Sequence, residues 1–88
     1  MTNPKLQAFI DKHMLPGFYI DVTGCYSIVI YKYLISVFLN SDTDELEVTM
    51  DTISDRGFFD QNIEWETPAS DEEIVATIKR FMLRAARD

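Results

Sequence analysis

The chain of 88 residues is 47% hydrophobic and 26% charged, which excludes a disordered polypeptide and predicts a single domain over residues 1–88. Its net charge of −7, from 15 acids against 8 bases, disfavours direct contact with nucleic acid or an anionic membrane, since both select Lys and Arg clusters. A single cysteine, Cys25, excludes an internal disulfide and a cysteine-based zinc site, and fits a reducing, cytoplasmic setting.

The first segment reads as a helix. Asn3 is a good N-cap and Pro4 sits at the first helical position, where its missing N–H costs nothing. Leu6, Phe9, Ile10 and Met14 recur on one stripe, and Pro16-Gly17 is the predicted stop. The opening Met-Thr-Asn-Pro-Lys lacks the basic region and apolar stretch of a secretory signal.

Residues 18–22 alternate as a strand, with Thr23-Gly24 as a turn. The run from Cys25 to Asn40 is rich in β-branched and aromatic residues and reads as two strands bent near Tyr31-Lys32-Tyr33. No Gly, Pro or Asn marks that bend, so one long strand or a buried helix are the alternatives. Its apolar core, Tyr26 to Leu39, is about 14 residues long and interrupted by Lys32, short of the ~20 that a membrane-spanning helix needs. A soluble protein is expected. Apolar residues of both parities in this run suit either a central strand pair or an interface using Tyr31 and Tyr33.

The polar connector Ser41-Asp42-Thr43-Asp44 joins it to an alternating strand, Glu45 to Asp51. A looser segment, Thr52 to Asn62, carries Asp55-Arg56-Gly57-Phe58-Phe59 before a further strand over residues 63–67. Ser70-Asp71-Glu72-Glu73 is a capping box opening a final helix. Ile74, Val75, Ile78, Phe81, Met82 and Ala85 form its apolar stripe, and Lys79, Arg80, Arg84 and Arg87 close it. The order α-β-β-β-β-β-α predicts an α+β two-layer sandwich. Its antiparallel sheet of four to five strands has the N- and C-terminal helices on one face.

Charge is concentrated in the middle of the chain. Residues 41–73 hold twelve acids and one base, whereas residues 1–40 and 74–88 are both slightly basic. Strand parity sorts Glu45, Glu47, Thr49 and Asp51 to one side and Leu46, Val48 and Met50 to the other. With Glu64 and Glu66, five carboxylates are expected to line one face, same-strand neighbours ~6.6 Å apart. Two such charges repel by roughly 0.6 kcal/mol in a bulk-like dielectric, which a cationic partner relieves. The plain alternative is a solvated outer face that keeps a small protein dispersed and blunts edge pairing.

Catalytic chemistry finds little to build on. The one histidine, His13, falls at a helix end, the three glycines are isolated, and the loop holding Asp42 and Asp44 lacks the calcium-loop pattern. No cofactor, metal or enzymatic activity is expected. The expected function is a small acidic binding module occupying a basic, nucleic-acid-binding surface of a larger protein, as an anti-CRISPR-like inhibitor, nucleic-acid mimic or immunity protein does. Asp42, Asp44, Glu45, Glu47, Asp51, Glu64 and Glu66 are the expected contacts, with Arg56 and Phe58 as a candidate hot spot or core plug. The module is expected as a monomer or homodimer. A structural subunit or obligate dimer built on residues 26–39 is the alternative.

Overall fold

The computed structural model describes residues 3–54 and 59–87, with the backbone alone at Phe59. Its elements are α1 (Pro4–Lys12), β1 (Tyr19–Ile20), β2 (Tyr26–Ile30), β3 (Tyr33–Asn40), β4 (Glu45–Ile53), β5 (Phe59–Glu66) and α2 (Asp71–Arg87). The strands form one antiparallel sheet in chain order, β1-β2-β3-β4-β5, each pairing with its neighbour in sequence. This is the predicted α+β class.

Asn3 caps α1 as expected, its side chain accepting from the Lys5 N–H at 2.8 Å. The helix stops at Lys12, short of the predicted Pro16-Gly17, and Met14 is exposed and not part of the buried stripe. The reason lies in the next residue. Leu15 is tied to the sheet, its N–H donating to the Tyr26 hydroxyl at 3.0 Å, so the chain has already left the helical path.

The run from Cys25 to Asn40 is two strands, as read. They meet in the two-residue loop Tyr31-Lys32, with Tyr31 at φ 58. Tyr33 belongs to the monomer's own core at 6% exposed, so of the two tyrosines only Tyr31 is presented to solvent. The Ser41–Asp44 turn closes through Asp44 N–H to the Asn40 carbonyl at 2.7 Å, and Asn40 Oδ1 accepts from Asp42 N–H at 2.9 Å. The segment expected to be loose is largely strand: β4 runs on to Ile53 and β5 begins at Phe59. Arg56 and Phe58 lie outside the described residues.

Ser70 caps α2 as expected, accepting from Glu73 N–H at 3.2 Å, while the Glu73 carboxylate reaches back one residue beyond the expected cap amide and accepts from Ala69 N–H at 3.0 Å. The helix buries Ile74, Thr77, Ile78, Phe81 and Ala85. These meet Leu6 and Phe9 of α1 over Tyr26, Tyr33, Ile35, Val37, Leu46, Val48 and Met50 in one core. All seven sheet residues share one face by register, so both helices cover that face. Among the described residues no helix covers the other.

Candidate functional site: the open face of the sheet

Alternation from the buried row fixes what the uncovered face carries. It presents Tyr19 on β1, Ser27 and Val29 on β2, Leu34, Ser36, Phe38 and Asn40 on β3, and Glu45, Glu47, Thr49 and Asp51 on β4. On β5 Trp65 is directly across from Thr49 and Asn62 across from Asp51, so both join this face. None of the five strands contains Lys or Arg.

The expected row of five carboxylates is not what forms. Glu64 lies across from Met50 and Glu66 across from Val48, which turns both toward the helix layer. There Arg84 pairs with Glu64 and Arg80 with Glu66, so the protein's own arginines neutralise them. Parity within each strand is insufficient because the side that β5 shares with β4 is set by their pairing, which also steps out of register between Met50 and Asp51 and between Thr52 and Ile53. Of the five, Glu45, Glu47 and Asp51 remain on the open face. Asp42 and Asp44 are exposed at the β3–β4 turn, where Lys5 Nζ donates to the Asp44 carbonyl at 2.6 Å.

Two of the three remaining carboxylates are recessed although, among the described residues, no helix covers the face. Glu47 is 3% exposed. One of its oxygens accepts from Trp65 Nε1 at 3.0 Å, the other from Asn40 Nδ2 and Thr67 Oγ1, each at 3.1 Å. All three donors are neutral. Asp51 is 6% exposed and accepts from Asn62 Nδ2 at 2.7 Å. Burial pushes its carboxyl above the usual range, with the Asn62 and Thr49 hydrogen bonds opposing. Among the described residues both recessed carboxylates are held by neutral dipoles and by no cation.

A polar seam continues across the sheet. Ser27 and Ser36, both buried, share a hydrogen bond of 2.8 Å, and Ser27 Oγ donates to Asp21 Oδ2 at 2.8 Å. Asp21 also accepts from Thr23 and from the Cys25 N–H. Burial raises its carboxyl, but these bonds outweigh burial and hold it below the usual range. The Cys25 thiol is pushed up by burial and by the negative charges of Asp21 and Asp51, against a bond from Thr23, so it stays protonated at neutral pH. His13 sits in the helix layer, Nε2 3.6 Å from Asp71 Oδ2 and its ring against Phe9. Among the described residues no three of His, Cys, Asp and Glu converge as metal ligands.

Sequence reasoning missed Trp65, Asn40 and Thr67. A signal was there to read: in Glu64-Trp65-Glu66 the tryptophan and the glutamates take opposite sides, and Arg80 and Arg84 are spaced one helical turn apart, as a pair of strand glutamates two residues apart requires. No protein family, curated protein or solved structure matches this chain.

Proposed function

We infer that the chain is a non-catalytic binding module whose open sheet face occupies a basic surface of another protein, as an inhibitor or adaptor. One observation carries this reading: the face holds Glu45, Glu47 and Asp51 and receives no Lys or Arg from any strand. Recessed carboxylates that no cation pairs with among the described residues favour a partner that brings cations, since such a partner gains from pairs that these residues leave unmade. Asp42 and Asp44 extend the same charge at the turn. A single cysteine, with no second one to pair with, accords with a cytoplasmic setting.

The test compares immobilised wild type with E45K/D51N, and with a control bearing reversed charge on α2, E72K. Expected is capture of a basic protein from cell extract, released by moderate salt and lost in E45K/D51N but kept in E72K. Capture that survives high salt, or that ignores the open-face substitutions, refutes the reading.

A second reading, self-association along the edge of β2, is favoured by a different observation. β1 pairs with Tyr26 and Ser27, so among the described residues no strand lies along the outer edge of Ile28–Ile30, and Val29 and Tyr31 beside it are exposed. Sedimentation at increasing concentration separates the two: a dimer abolished by Val29→Lys supports the edge, and a monomer throughout removes it.

A further inference from the structure

The geometry points to Trp65 as the receptor for an arginine side chain of the partner, a proposal that rests on the binding-module reading above and names its central contact. Trp65 is 59% exposed on the open face, an unusual state for the largest apolar side chain. Its orientation is nevertheless fixed, because Nε1 donates to the buried Glu47 carboxylate at 3.0 Å. That bond has two effects. It removes the rotational freedom that binding would otherwise cost, and donation to an anion enriches the ring in electron density, strengthening its attraction for a cation.

The surroundings select the ligand. Thr49, directly across from Trp65, stands between Glu47 and Asp51 on the same side of β4, so a group lying over the indole sits above two recessed carboxylates. The chain fills its other cation–aromatic pairs from within: Lys32 Nζ stands 6.0 Å from the Tyr31 ring and 5.7 Å from the Tyr33 ring, and the Arg80 guanidinium 5.7 Å from the Phe81 ring. Among the described residues none of its own cations covers Trp65. A planar guanidinium stacks on an indole face and, being more weakly hydrated than an ammonium, gives up water more readily to lie there above the recessed carboxylates. The occupant is therefore arginine.

Trp65 is the only tryptophan, so intrinsic emission reports on this contact alone. Hexa-arginine is titrated into the full chain at low ionic strength, with hexa-lysine and hexa-citrulline as comparisons, and binding is followed in parallel by calorimetry. Expected is a saturable change in emission with hexa-arginine, weaker binding of hexa-lysine and none of hexa-citrulline. By calorimetry Trp65→Leu weakens hexa-arginine roughly 10-fold or more, while Trp65→Phe, which keeps an aromatic face, stays within about 3-fold of wild type. Circular dichroism establishes that both variants are folded. Calorimetric binding with unchanged emission, or equal affinity for hexa-lysine, overturns the Trp65 proposal and leaves the acidic face intact. Absence of any binding to either cationic peptide overturns both.

Discussion

Burial raises the proton affinity of Asp51 in the folded chain, so the sign of its contribution to stability follows directly. Between the ordinary value of 3.8 and the raised folded value, the unfolded chain has lost its proton and the folded one has not; stability therefore falls as pH rises through that window. Asp51→Asn keeps an oxygen for the Asn62 amide and removes the charge. It is expected to melt above wild type at neutral pH, with the difference disappearing below the carboxylate range. Asp21 behaves oppositely. Its lowered value gives stability that is full above 3.8 and is lost as pH falls through the folded value, so Asp21→Asn is expected to destabilise at neutral pH by about 1–3 kcal/mol through its weakened bonds to Thr23, Cys25 and Ser27. Thermal melts against pH check both signs. Glu47→Leu removes the acceptor shared by Asn40, Thr67 and Trp65 in three part-buried hydrogen bonds and is expected to cost about 1–3 kcal/mol in chemical denaturation.

Among the elements, the helices and the β3–β4 turn were legible because each rests on local chemistry. Asn3-Pro4 and Ser70-Asp71-Glu72-Glu73 announce the two helix starts, and Ser41–Asp44 supplies the polar turn. What stayed hidden was non-local. The early end of α1 depends on the Tyr26 hydroxyl reaching Leu15, and the facing of Glu64 and Glu66 depends on the pairing of β5 with β4 and on arginines more than a dozen residues later. The β2–β3 loop is a third case: Tyr31 takes a left-handed φ of 58 that favours glycine, so no turn residue betrays it. Tyr31→Gly is expected to stabilise the chain by about 1 kcal/mol by relieving that conformation, measured by denaturant midpoint. In the core, Ile35→Ala is expected to cost about 2–5 kcal/mol, since Ile35 is fully buried at the centre of the sheet.

Across the whole molecule, acids and bases are segregated by layer. The strands carry acids and no bases, while α2 bears Lys79, Arg80, Arg84 and Arg87 and spends two of its arginines on β5. The sequence showed that the middle of the chain is acidic; only the cross-strand register reveals that one part of this charge is cancelled internally and another is kept recessed beneath Trp65. One practical consequence follows from the absence of bases in the strands. The four lysines, Lys5, Lys12, Lys32 and Lys79, all belong to helices or the β2–β3 loop, so lysine-directed labelling modifies no side chain of the sheet strands.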